Sequence, residues 1–392
     1  MGSLLLALIY LCFISLGLPD SLLGSAWPVL HKEIHTPVSF AGIISMTICA
    51  GTILSSLFSD KLLHKFGAGK ITAVSATLTA VGLFGFSVSN QFWMLIFWAI
   101  PYGLGAGGVD AILNNYVALH YKAQHMSWLH CMWSVGAAVS PYIMSFSLVR
   151  LSSWNDGYLI VAVIQAVLSV FIFCSLPIWN GNGEKSENSV NPEGENKSLT
   201  FREIFAIRGA VPCFLTFFGY CSLELTTSLW ASSYLVQKWN FTPEAAAGYA
   251  SMFYIGITFG RFVNGFLAMK FSDRFLIRTG LAMICAGIVL LFVPAHSMFT
   301  LVGFAVIGLG CAPVYPCIIH MTPTVFGADK SQAMIGLQMA FAYTGFLITP
   351  TVFGWIAEYI TISLLPVYLI GLLLLMIITH EMIYAKRPRN QA

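Results

Sequence analysis

Three acidic residues stand where acids are expensive. Asp20, Asp110 and Glu224 lie inside long apolar runs, whereas most other acids fall in the polar stretches between runs. An unpaired charge near mid-bilayer costs about 2.5–3.5 kcal/mol even on a lenient insertion scale. At a rise of about 1.5 Å per residue, all three sit within about two helical turns of the centres of their runs. They must then face a bundle interior or a water-filled cavity, where a carboxyl can take up or lose a proton as access changes. The competing role is structural, a carboxylic acid hydrogen-bonded to a neighbouring helix.

The residues around these acids extend the site. Gly17, Asp20, Gly24 and Trp27 recur at helical spacing on one stripe, and Gly103, Gly107, Asp110 and Asn114 on another. Small residues let a ligand or, more commonly, a neighbouring helix approach the backbone. Asn114 both donates and accepts, which suits a ligand hydroxyl or an interhelical bond, while Asn115 points to a different face. His130, with Trp133 and Ser134, can shuttle protons or close an interhelical hydrogen bond. Trp27 and Trp230 fit either an aromatic belt or a stacking platform for a sugar ring. Gln165, Tyr315, Gln338 and Tyr343 add uncharged donors within apolar runs. Neutral hydrogen-bonding groups beside flat aromatic surface suit a carbohydrate. The candidate binding set is Asp20, Trp27, Asn114, His130, Trp133, Gln165, Trp230, Tyr315 and Gln338. Arg261 is the one basic residue clearly within a run, placed near its cytoplasmic end. A phosphorylated or dianionic ligand, which wants paired cations, is therefore not expected.

These residues need a membrane to position them. The 392 residues are 57% hydrophobic and 9% charged, with a mean hydropathy of +0.80, against about 25% charged for a soluble domain. Such a chain cannot cover a water-facing surface, which excludes a soluble enzyme, a nucleic-acid binder and a disordered regulator. Apolar runs of spanning length fall at about 4–30, 38–58, 71–89, 92–118, 127–149 and 157–178, then at 210–236, 245–268, 275–294, 298–321, 332–356 and 361–384. The expectation is an all-α membrane protein of 12 transmembrane helices in two six-helix bundles, 1–178 and 209–392, joined by a cytoplasmic linker over 179–208. The polar stretch from Trp179 to Leu199 has no periodicity. No Lys or Arg precedes Lys32, so the first run reads as a retained helix and not a cleaved leader. The nine cysteines form neither a CxxC nor a Cys/His cluster and read as apolar packing residues.

Charge sets the orientation. With the N-terminus inside, 15 of the 19 Lys and Arg fall in inner loops and 3 (Lys32, Arg150, Lys238) in outer ones. The positive-inside rule then puts both termini and the linker in the cytoplasm of a bacterial-type plasma membrane. The halves also repeat. Gly103-Leu-Gly105 matches Gly308-Leu-Gly310 at an offset of 205, and Gly136 with Pro141 matches Gly345 with Pro350 at 209. Asp20 with Trp27 matches Glu224 with Trp230, and Ser59-Asp60-Lys61 matches Ser272-Asp273-Arg274. Matches in this order indicate a duplicated unit.

No GxSxG, HExxH or P-loop is present, so neither an enzyme, a metal nor a cofactor is implied. The pattern resembles the major facilitator superfamily. The loop from Asp60-Lys61 through Lys65 and Gly67 to Lys70 is similar to that superfamily's loop motif, with longer spacing and Lys in place of Arg. The resemblance implies a gating role for Asp60, Lys61, Lys65, Gly67, Arg261, Asp273 and Arg274. Within the superfamily, Gly17-Leu-Pro-Asp20 with Gly24, Trp27 and Pro28, and Gly107-Gly-Val-Asp110 with Asn114, resemble the fucose–proton symporter family. That likeness implies substrate and proton roles for the acids of the first and fourth helices, Asp20 and Asp110. Glu224 is an additional acid, and the family's fourth-helix acid is often the longer Glu. The expected activity is proton-coupled, or sodium-coupled, import of a sugar or related polyol by alternating access, with Asp20, Asp110 and Glu224 coupling. The expected partners are a small-molecule substrate, the coupling ion and membrane lipid, for a monomer without nucleic acid. The competing readings are a proton-coupled antiporter exporting amphipathic, drug-like or lipid-like compounds, and a membrane receptor or scaffold without flux.

Overall fold

A computed structural model describes residues 2–120, 123–183 and 201–384 of the chain. Every apolar run is helical, and the described residues contain no strand. The first run divides into α1 (Gly2–Asp20) and α2 (Leu22–Glu33). There follow α3 (Phe40–Phe66), α4 (Ala68–Ser87), α5 (Phe92–His120), α6 (Ala123–Arg150) and α7 (Trp154–Gly183). A short α8 (Phe201–Ala206) leads into α9 (Ala210–Trp239), α10 (Pro243–Leu267) and α11 (Asp273–Leu291). The tenth run divides into α12 (Ser297–Cys311) and α13 (Val314–Phe326), and α14 (Ala328–Ile356) and α15 (Leu365–Tyr384) complete the chain. The expected linker over 179–208 lies largely outside the described residues, and its first positions continue α7.

The interruptions have local causes. Proline lacks an N–H and cannot close the bond to the carbonyl four residues earlier. Pro19 sits just before the α1–α2 break and Pro313 at the α12–α13 break. Gly67, at φ 78° and ψ 157°, joins α3 to α4 in a region open essentially to glycine alone. That geometry accounts for a glycine here without any part in gating.

Eight helical stretches among the described residues are long and apolar enough to cross a membrane, and one of them, Met334–Tyr384, is 51 residues long and holds two crossings. The chain is an integral, multi-pass membrane protein. α3, α9 and α10 fall outside that set, and for α9 the reason is its position. α9 packs against α2, α10, α14 and α15, so its Ser222, Glu224, Thr226, Thr227, Ser232 and Ser233 are buried in protein and not in lipid. Large apolar side chains such as Trp93, Phe97, Phe171, Phe262 and Ile378 are exposed instead, as a lipid-facing surface requires.

Glycine-mediated backbone contacts repeat between the two halves. A Cβ on Gly103 would stand 2.2 Å from the Ile48 carbonyl oxygen, and one on Gly308 2.0 Å from that of Phe253. Gly105 meets Ser75 as Gly310 meets Gly280, and Gly51 meets Leu104 as Gly256 meets Leu309. Each residue of the second pair lies 205 positions after its counterpart, so α3–α5 and α10–α12 are the same packing unit. Gly256→Ala, whose Cβ would lie 2.0 Å from the Ala305 carbonyl oxygen, is expected to destabilise the second half by about 1–3 kcal/mol through overpacking. A thermal melt of the detergent-solubilised protein reads this.

Between the halves α6 packs along α10, α3 against α14 and α2 against α9. At one end the contact is backbone-close. A Cβ on Gly24 would stand 2.8 Å from the carbonyl oxygens of Ser228 and Leu229. Thr351 donates to the Gly42 carbonyl at 3.0 Å, and the Ser39 N–H donates to Glu358 at 3.2 Å.

Candidate functional site

A cavity of about 260 Å³ lies between the halves, and Asp20, Asp110 and Glu224 all line it. The fold thus gathers three acids that are far apart in sequence, from α1, α5 and α9. Asp20 ends α1 at the helix break and is held by two donors of its own half. Trp133 Nε1–H donates to Oδ2 at 2.8 Å and the Tyr102 hydroxyl to Oδ1 at 3.1 Å. Asp110 accepts from Asn114 Nδ2 at 2.9 Å, one turn along α5. Glu224 lies 3.7 Å from Arg261 Nη2.

Arg261 lines the cavity. It lies 1.5 turns or so before the end of α10, roughly 9 Å along the axis, and its long side chain reaches back into the cavity. There Nη1 donates to the His130 carbonyl at 3.1 Å and to the Ser134 hydroxyl at 2.6 Å, both on α6 of the other half. The guanidinium lies over the Trp133 ring, 5.2 Å from its centroid. Asp20, Trp133, Arg261 and Glu224 form a continuous chain of contacts from one half to the other. Trp133→Phe keeps a ring but removes the donor to Asp20. It is expected to lower stability by about 1 kcal/mol, below the usual 1.5–3 for a bond to a charged group because the carboxyl also faces the cavity. Thermal melting of the purified protein measures it.

Of the other expected binding residues, His130, Trp133 and Tyr315 line the cavity, and Tyr343 joins them. Five do not, and each is absorbed by a backbone or neighbour that needs it. Trp27 is fully buried, donates to the Val38 carbonyl at 2.7 Å and stacks on His31. Trp230 is equally buried and donates to the Pro350 carbonyl at 3.0 Å. Gln165 donates to the Ser15 carbonyl at 2.6 Å, the acceptor that Pro19 leaves without its helical partner. Gln338 bonds Thr322 at 2.9 Å and the Cys213 sulfur at 3.0 Å inside the second half. Asn114 serves Asp110. The glycine stripes are packing surfaces: Gly17 abuts the Trp133 backbone, and Gly103 and Gly107 abut α3.

Of the expected gating residues of the second half, Asp273 and Arg274 stay within it, while Arg261 reaches across. Asp273 Oδ2 lies 2.8 Å from His320 Nδ1, and Arg274 reaches Glu381 at 3.4 Å and covers the Tyr384 ring. These contacts tie α11 to α13 and α15 and do not bridge the halves. Lys65 is exposed beside the Phe66 ring. The side chains of Asp60 and Lys61 lie outside the described residues.

Sequence reasoning missed Tyr102, Tyr158, Tyr254 and Ser228, all cavity-lining. A signal was present for two of them. Tyr102, Ala106 and Asp110 recur at four-residue spacing, as Tyr254 and Arg261 do at seven, so each pair shares a helix face. No group of three or more His, Cys, Asp or Glu among the described residues has metal-binding geometry, and all nine cysteines are free thiols.

Relatives share the length and the architecture. The glucose/mannose transporter GlcP of Bacillus subtilis is 22% identical over 370 residues, covering 91% of this chain and 88% of that protein. The quinolone resistance protein NorA of Staphylococcus aureus is 25% identical over 361 residues, covering 88% and 87%. The crystal structure of a point mutant of the nucleoside transporter NupG superimposes with a TM-score of 0.76 at 13% identity, covering 96% of this chain and 98% of that one. The sequence profile of the Major Facilitator Superfamily matches residues 9–237 and 212–392, and on that match, together with the six-plus-six architecture, the chain belongs to the Major Facilitator Superfamily of transporters.

Proposed function

We propose that the protein imports a sugar or related polyol with a coupled proton, by alternating access. The observation that carries this reading is the convergence of Asp20, Asp110 and Glu224 on one cavity between the halves. At about 260 Å³ the cavity has room for a small polar solute. Its lining combines aromatic rings with the hydroxyl-bearing residues Tyr102, Tyr254 and Ser228, groups that suit the C–H faces and hydroxyls of a carbohydrate. The relative named as a glucose/mannose transporter agrees with this substrate class.

The roles follow from the partners. Among the described residues Asp110 has one hydrogen-bond partner, an amide from its own helix, which leaves it free to exchange the coupled proton. Asp20, fixed by Trp133 and Tyr102, orients substrate hydroxyls. Glu224, facing a cation, is a second coupling site. The two bundles, 1–178 and 209–392, rock about the cavity as a monomer. The positive-inside distribution places the close contacts at Gly24, Gly42 and Glu358 on the outer side, so the cavity is reached from the cytoplasm, where both termini lie.

The relative named for quinolone resistance favours the opposite reading, export of amphipathic cations against protons. Proteoliposomes with an acidic exterior separate the two. Sugar accumulation that collapses with a protonophore is expected; extrusion of apolar cations with no sugar flux would overturn the proposal.

A further inference from the structure

Arg261 is the one Arg or Lys among the described residues that line the cavity. Its side chain is 9% exposed. Both Nη1 hydrogens are used, on the His130 carbonyl and the Ser134 hydroxyl. Together with the Trp133 ring beneath, they fix the plane of the guanidinium. Among the described residues, Nε and Nη2 have no hydrogen-bond partner. The nearest acceptor of opposite charge, Glu224 Oε1, is 3.7 Å from Nη2, too far for one, and is itself buried without a hydrogen-bond partner. A buried guanidinium therefore presents a rigid, unspent pair of parallel N–H donors to a cavity, and this is the edge that a carboxylate grips with two oxygens.

We infer that the solute carries one carboxylate, that it is a hydroxylated monocarboxylate or sugar acid, and that Arg261 is its anchor with Glu224 controlling access to it. This rests on the importer reading above and narrows its substrate class. An ionised Glu224 shares the guanidinium and repels an arriving anion. A protonated Glu224 leaves the cation uncompensated, and a carboxylate then restores neutrality. Proton and anion each favour the other's binding, by reciprocal linkage, and they cross together as a neutral load. A phosphate dianion would need a second cation, which the lining lacks. The hydroxylated remainder meets the tyrosine and serine hydroxyls already described. The other ionisable groups facing this pair are Asp20 on α1, His130 and Cys131 on α6, Tyr220 and Cys221 on α9, Tyr254 on α10, Cys311 on α12 and Tyr315 on α13, with Asp110 on α5 across the cavity.

The test compares D-glucuronate with D-glucose, which share a ring and differ in the carboxylate. With the full chain in proteoliposomes and an acidic exterior, glucuronate uptake is expected to exceed glucose uptake at least tenfold, and Arg261→Gln is expected to erase that preference. Arg261→Lys, which keeps the charge and loses the fork, should raise the KM for glucuronate about tenfold. It serves as the readout if Arg261→Gln fails to fold. For the wild type, glucuronate should raise the melting temperature at pH 5.5 and not at pH 8; for Glu224→Gln it should do so at both. Uptake of glucose without glucuronate would overturn this inference and leave the importer reading standing. Flux of neither sugar would overturn both. A glucuronate preference that survives Arg261→Gln would sink the anchor.

Discussion

Asp110→Asn is expected to abolish proton-driven accumulation while leaving exchange of solute across the membrane. The substitution keeps the size and an acceptor for Asn114, so the local hydrogen bond on α5 persists. What disappears is the only proton site of the cavity with neither a cation nor a pair of fixed donors beside it. One proton moving down a gradient of one pH unit is worth about 1.4 kcal/mol, roughly a tenfold concentration ratio, whether or not the load is charged. The variant should fall from that ratio to about one. Counterflow from solute-loaded vesicles should continue, since it requires the halves to rock but no net proton movement. Accumulation that survives the substitution would remove Asp110 from the coupling step.

The second large effect is expected at Gly24. Here α2 meets the backbone of α9, and an added Cβ would stand 2.8 Å from two carbonyl oxygens, which cannot withdraw as a flexible side chain can. Gly24→Val should therefore force the halves apart at this end and populate the state that is open there. Because the contact exists in only one of the two states, the cost falls on that state alone, and the equilibrium shifts by that difference. Spin labels at Lys32 and Lys238, near the ends of α2 and α9, should separate by several ångströms, and transport should fall at least tenfold as cycling stalls. Unchanged label distances would show that the contact does not control closure.

The fold was largely legible because its signals are one-dimensional. Run length fixed the number of crossings, and the 205-residue offset of the Gly103 and Gly308 motifs foretold the repeated backbone contacts. The acids were legible for an energetic reason, since only a cavity tolerates Asp20, Asp110 and Glu224 at that depth. Neutral polar residues carry no such penalty, and that is where the reading failed. Nothing local tells whether a buried indole such as that of Trp27 faces a ligand or the carbonyl of Val38. Gln165 belongs to the backbone defect made by Pro19 on another helix, a pairing across 150 positions that no spacing rule encodes. The place of Arg261 in the cavity was not legible because counting from a helix end locates Cα, while its reach is set by the length of the side chain.

Two thiols at the seam between the halves acquire meaning from this geometry. The Cys49 sulfur points at the Tyr343 carbonyl, 3.8 Å away, and that of Cys131 at the Thr258 carbonyl, 4.0 Å away, each across the divide. Both are buried, whereas Cys174 and Cys285 are exposed on the outer surface of the bundle. The molecule thus carries native alkylation reporters: maleimide labelling of Cys49 and Cys131 tracks how often the seam parts, while the two lipid-facing thiols stay protonated and slow to react.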